Sequence, residues 1–165
     1  MPPSTSPHTT PTTLARQEPF LPLIRELARA YQAFASYSEG HVRQQGLTAP
    51  QFDVIATLGN TSGMTMHELA DKTLVTKGTL TGIIDRLEQK GLVQRQVPPE
   101  NRRCFRIVLT TAGEAVFEEV FPAHIHHLKA RLGQLSASEI QSITEALQTV
   151  RQIFQDLPTQ DLPIN

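Results

Sequence analysis

The chain has 165 residues, enough for one domain with a helical extension and for a buried core. With 39% hydrophobic residues and no run of eighteen apolar ones, nothing in it is expected to span a membrane; MPPSTSPHTTPTT lacks the basic and apolar segments of a secretory signal, so a cytoplasmic location is expected. Cys104 is the single cysteine, which excludes an internal disulfide and a cysteine-built zinc site, and the net charge of −1 gives no overall attraction to nucleic acid.

Six of the twelve prolines fall in the first 22 residues, and with the Ser and Thr around them they make residues 1–16 a disordered N-terminal tail. Residues 17–46 form an N-terminal helix: Leu23, Ile24, Leu27, Ala28, Tyr31, Phe34, Ala35 and Val42 recur at helical spacing, and Gly46 stands where a helix ends. A second helix opens at LTAPQF, with Thr48 and Gln51 spaced as a capping box and Phe52, Ile55, Ala56 and Leu58 as its buried stripe, and it stops near Gly59 and Asn60. Thr65 and Glu68 repeat the capping pattern at the head of a short helix with Leu69 and Ala70 inward. Thr76 caps the next helix, which ends at Gly91 and carries Leu80, Ile83, Ile84 and Leu87 on one face. Two short helices with a tight connection form a helix-turn-helix.

Two strand-like runs, LVQRQV and CFRIVL, flank PPENRR, where Pro98 and Pro99 bar a helix; this is the pattern of a β-hairpin wing. Residues 47–110 therefore read as a winged helix-turn-helix DNA-binding lobe. A further helix opens at LTTAGEAVFEEVF, capped by Thr110 or Thr111, and runs through Pro122 to about Leu132. Ser136 and Glu139 cap the last helix, whose apolar positions are Ile140, Ile143, Leu147, Val150 and Phe154. The first and last helices carry more apolar surface than one small lobe can bury, so residues 17–46 and 111–156 are assigned to dimerisation and a two-fold homodimer is expected; residues 157–165 form a flexible tail. The fold class is mainly α with a small β-hairpin wing: a winged helix-turn-helix lobe plus a helical dimerisation region.

The charge is unevenly placed. Residues 1–71 hold four Lys/Arg against six Asp/Glu, residues 72–110 eight against three, and residues 111–165 three against seven. One basic segment between acidic flanks supplies the local footprint that phosphate contact needs. Its helix, Thr76 to Lys90, presents Gly78, Gly82, Asp85 and Gln89 opposite the apolar stripe, with Thr79, Thr81 and Arg86 beside them and Lys77 in the first turn. Two glycines four apart cost about 1 kcal/mol each in a helix and make sense where the backbone must approach another surface closely, as in a major groove. Thr and Lys near a helix N-terminus suit phosphate and base-edge contact. The DNA-binding residues expected on this helix are Thr76, Lys77, Gly78, Thr79, Thr81, Gly82 and Arg86. On the wing they are Arg102 and Arg103, since a narrow minor groove attracts arginine.

GMTMHELADKTLVTKGTLTGIIDRLEQKGLVQR followed by NRRCFRIVLTTAGEAVF resembles the MarR family of regulators, closely from Leu47 to Phe121 and in helix order outside it. The carrying motifs are the helix-turn-helix, DRLEQKGLVQR, and an Asn-x-Arg wing eight residues ahead of LTTAG. The resemblance implies a winged-helix homodimer on palindromic operators, joined through its first and last helices, with the recognition helix at Thr76–Lys90 and the wing arginine at Arg103. It departs from the family at Asn101, where members usually carry an aspartate that pairs with the wing arginine.

The resemblance also implies control by a small molecule or an oxidant. Arg29, Tyr31, Phe34 and Tyr37 are candidate lining for an effector pocket, phenolic anions being common effectors of similar proteins, or else core and interface residues. Cys104, near Arg102, Arg103 and Arg106, is a candidate redox residue, although peroxide-sensing members carry theirs near the first helix. His124 and His127, three apart in HIHH, are candidate metal ligands with no evident third partner, and an exposed or interface role is the alternative. No glycine-rich phosphate loop, G-x-S-x-G or H-E-x-x-H motif occurs, so neither an enzyme nor a bound cofactor is expected. The rival is a winged-helix module that binds protein instead of DNA; its mark would be an apolar exposed face on the helix from Thr76.

Overall fold

The computed structural model describes residues 10–97 and 105–155. The chain divides into two compact units, Met1–Val120 and Phe121–Asn165. The first begins earlier than expected. The disordered tail placed at residues 1–16 is corrected at its end, because Pro11–Ala15 form a helical turn, α1. The hydroxyl of Thr10 accepts the Thr13 amide at 3.3 Å, and Pro11 at the first position removes a donor that would have lacked a partner. Residues 1–9 lie outside the described residues.

Helix α2 (Leu21–Gln44) buries only Val42 and ends at Gly46, whose φ of 77° a side chain would resist. Its apolar positions Leu23, Ile24, Leu27, Tyr31 and Phe34 are exposed within the chain. Helix α3 (Ala49–Leu58) carries the expected capping box, with both Thr48–Gln51 bonds formed. Its buried residues are Gln51, Val54, Ile55 and Leu58, whereas Phe52 and Ala56 are only half-buried, so the expected stripe is corrected. The reason is position: α3 packs on α2, on α4 (Met66–Lys72), on α5 (Lys77–Gln89) and on β3 (Arg106–Leu109), so no single face is the buried one.

The wing hairpin, β2 (Val93–Gln96) with β3, gains a third strand that its length hid, β1 (Met64–Thr65). The sheet runs β1-β3-β2, antiparallel throughout, with Met64 opposite Ile107 and Arg95 opposite Ile107 on the other side. Gly63 makes this approach possible: its φ is +90°, and a Cβ there would collide with the Val108 side chain and the Ile107 carbonyl. Ile55, Leu58, Leu69, Leu80, Ile84, Leu87, Val93 and Ile107 close the core beneath α5 and the sheet. Helix α6 (Thr111–Leu132) is capped by Thr110, whose hydroxyl accepts the Gly113 amide at 3.0 Å, and it runs through Pro122.

The second unit holds the end of α6 and helix α7 (Ala137–Gln155), capped by Ser136 with Glu139. No residue of α7 is buried; Ile140, Ile143, Leu147, Ile153 and Phe154 are exposed within the chain. The boxes at Thr65–Glu68 and Ser136–Glu139 share an electrostatic consequence. Each carboxylate accepts the backbone amide and hydroxyl of its cap, which holds its pKa below the ordinary carboxylate range. A folded pKa below the unfolded one contributes stability above the unfolded value and loses it as pH falls through the folded one. Glu68→Gln with Glu139→Gln is therefore expected to flatten the acid limb of stability, read as urea midpoints at neutral pH and near pH 4.

Candidate nucleic-acid interface

Helix α5 buries the four apolar residues its periodicity marks, Leu80, Ile83, Ile84 and Leu87. That anchoring turns Thr76, Lys77, Gly78, Thr79, Thr81, Gly82 and Arg86 to the surface, all of them exposed. At Gly78 and Gly82 an added Cβ would meet nothing within 4 Å. The fold itself thus gives no reason for either glycine, although each costs helix stability.

Thr76 occupies the N-cap position, but the cap expected from its side chain is corrected: its hydroxyl makes no bond to the helix backbone and pairs instead with that of Thr79. Thr79 in turn donates to the Thr76 carbonyl at 3.0 Å. With both hydroxyls engaged on each other, the first-turn amides of α5 lack a side-chain acceptor, an arrangement that suits an incoming phosphate. Lys77 lies 3.4 Å from Asp71, an exposed pair that a phosphate can displace at little cost.

Arg95 on β2 is a residue that the reading of the sequence missed. Its guanidinium donates to Asp85 at 2.6 Å and to Glu88, and lies over the Phe105 ring at 5.8 Å. The hydrogen bond to Asp85, with both carboxylates nearby, raises its pKa further. It thereby neutralises two acids on the helix and ties the wing sheet to α5. All three residues stand in DRLEQKGLVQR, but only the turn at Gly91, φ 70°, folds Arg95 back onto the others. Lys90 makes a second tie, donating to the Gly46 carbonyl at 3.1 Å and to Gln51 Oε1 at 3.3 Å. Arg106 makes a third, donating to the Gly63 carbonyl beside β1.

The wing residues Arg102 and Arg103, with Asn101 and the redox candidate Cys104, lie outside the described residues. Among the candidate effector residues, Arg29 pairs with Glu26 at 3.2 Å and lines an open recess of about 430 Å³ with Arg16 and Arg25. Tyr31, Phe34 and Tyr37 are not among the residues lining that recess. His124 is buried within the chain, which corrects the exposed role but not the interface role in the alternative, and it stacks on His127 with centroids 6.2 Å apart. No group of three metal-ligating side chains occurs among the described residues, so the third ligand that these histidines would need is not supplied there.

A helix-turn-helix whose second helix exposes a polar, glycine-bearing face, braced by a three-stranded wing sheet, defines a winged helix-turn-helix transcriptional regulator. The model of the MarR family matches residues 47–105. The HTH-type transcriptional regulator MhqR of Bacillus subtilis is 30% identical over 133 residues, 81% of this chain and 92% of that protein. A mutant of MarR from E. coli, solved in complex with operator DNA, superposes with a TM-score of 0.70 at 27% identity, covering 81% of this chain and 99% of that one. BpsR of Bordetella bronchiseptica, whose DNA binding is regulated by 6-hydroxynicotinic acid, superposes with a TM-score of 0.71 at 25% identity, over 86% and 98% of the two chains. The chain belongs to the MarR family. No helix among its described residues is long and apolar enough to cross a membrane.

Proposed function

We propose that a two-fold dimer of this chain binds a palindromic operator, with α5 of each copy in the major groove, and represses transcription by occupying that site. The Lys77 side chain and the backbone amides of Lys77 and Gly78 at the head of α5 hold phosphate, while Thr79, Thr81 and Arg86 face base edges. Arg102 and Arg103 of the wing complete the contact at the minor groove. The observation that carries this reading is the α5 face: polar, exposed, and bearing two glycines that nothing in the fold requires. The superposition on operator-bound MarR supports it. The apolar rows of α2 and α7 support the dimer, since each is left uncovered within one chain. The regulation of BpsR by 6-hydroxynicotinic acid supports a small-molecule effector here. In this reading the protein acts by binding alone, carries out no catalysis, and works in the cytoplasm where its DNA is.

The test separates positioning from reading. Phosphate contacts position and base contacts specify. Lys77→Ala is expected to weaken binding to every duplex and to lower the salt slope by about 1 per subunit. Thr79→Phe is expected to abolish preference for the operator over random duplex. A Lys77→Ala protein with unchanged affinity and unchanged salt slope would place α5 outside the groove.

A further inference from the structure

The turn between α4 and α5 carries an apolar side chain that has no cover. Leu74 is 91% exposed, well above the next most exposed large hydrophobic residues among the described ones, Tyr31 and Phe154, at 67%. Those two lie on α2 and α7, where a second copy can cover them. Leu74 lies in the helix-turn-helix itself, two residues ahead of the N-cap of α5, and only the half-buried Val75 separates it from the exposed run Thr76–Thr79. A fully solvated leucine contributes nothing to folding. Its flanks are nevertheless fixed. The Leu74 amide donates to Asp53 Oδ2 at 2.6 Å, a bond that reaches back to α3 across 21 positions. Thr73 beside it is buried and donates to the Leu69 carbonyl at 2.8 Å. The main chain is thus held at the Leu74 amide and at the residue before it, while the Leu74 side chain is presented outward.

We propose that Leu74 is a specificity-determining residue that packs on the 5-methyl group of a thymine in the operator, and that Asp53 is the positioning residue that holds it there. The inference rests on the reading of α5 as the recognition helix. The thymine methyl is the apolar feature of the major groove, and an aliphatic side chain is its chemical complement. A protein partner would cover a leucine equally well, but past the half-buried Val75 the exposed surface that follows Leu74 in the chain is Thr76, Lys77, Gly78 and Thr79, which is polar and suited to DNA.

The experiment selects preferred duplexes from a random pool with the full chain. It then replaces each thymine of the selected site by deoxyuracil, which removes only the methyl. The wild-type protein is expected to lose about fifteenfold in affinity at one symmetry-related pair of positions, about fourfold for the one buried methyl contact in each half-site. Leu74→Ala is expected to lose the same factor on the thymine duplex and to be indifferent to deoxyuracil at that pair. Asp53→Ala is expected to reduce this sensitivity, and Asp53→Asn, which keeps an acceptor for the Leu74 amide, to restore it. Leu74→Ala binding like wild type, or losing equally on all duplexes, overturns the inference, and so does loss of the dimer in that variant. A wild-type protein that enriches no duplex overturns the DNA reading as well, so the two failures are told apart.

Discussion

Gly82→Leu is expected to make the protein more stable and its operator binding much weaker. Leucine is among the better helix formers and glycine among the worst, a difference of about 0.5 to 1 kcal/mol in a helix interior. A Cβ at Gly82 meets nothing within 4 Å, so the larger side chain has room in the free protein. With α5 in the major groove, as proposed, the same side chain would stand between the helix and the groove floor. Displacing α5 by one side chain removes at least one base contact in each half-site, about 1 to 3 kcal/mol apiece. Urea unfolding and operator titration on the same sample measure the two effects, and they should move in opposite directions. A variant that is stabilised and binds like its parent would show that this face of α5 does not meet DNA.

The larger loss is expected from α7. Ile143 and Leu147 lie four apart on one face, 47% and 52% exposed within the chain, an arrangement that a second copy would cover. Ile143→Glu with Leu147→Glu keeps good helix formers, so α7 should persist, but it sets four carboxylates into the dimer seam. The expected product is a folded monomer by light scattering. Its affinity for a single half-site should be nearly unchanged, while its affinity for the palindrome falls about 10² to 10⁴-fold, the advantage that joining two binding modules confers. Deleting the residues after Ser136 should produce a monomer or aggregate by the same loss. A variant that remains a dimer would remove α7 from the interface.

What was legible before the structure has a common physical feature: it is local. The capping boxes at Thr48–Gln51, Thr65–Glu68 and Ser136–Glu139 are bonds between residues three apart, so their spacing in the chain is already their geometry. The buried face of α5 follows from 3.6 residues per turn, and its exposed face follows from the same count. Gly46 and Gly91 adopt positive φ at helix ends because the chain must turn there and glycine does so without strain. The basic central segment is a matter of arithmetic on the sequence. Helix identity, the winged helix-turn-helix order and the polar exposed face of α5 were therefore determined by the amino-acid sequence itself.

What the sequence could not carry are the bonds that bring distant residues together. Strand β1 is two residues long, too short for alternation to show, and it exists because Gly63 lets it reach β3 some forty positions later. The burial of Gln51 and the half-exposure of Phe52 depend on how many neighbours surround α3, which periodicity cannot count. Arg95 acquires Asp85 and Glu88 only after the chain reverses at Gly91, and Lys90 acquires the Gly46 carbonyl 44 positions away. The Asp53 bond to the Leu74 amide belongs to the same class, and it turns an unremarked leucine into a presented one. Local hydrogen-bonding and periodicity decided which elements form; the tertiary structure alone decided how α5 is braced and which side chain stands in front of it, because those contacts exist only once α3, α5 and the sheet share a core.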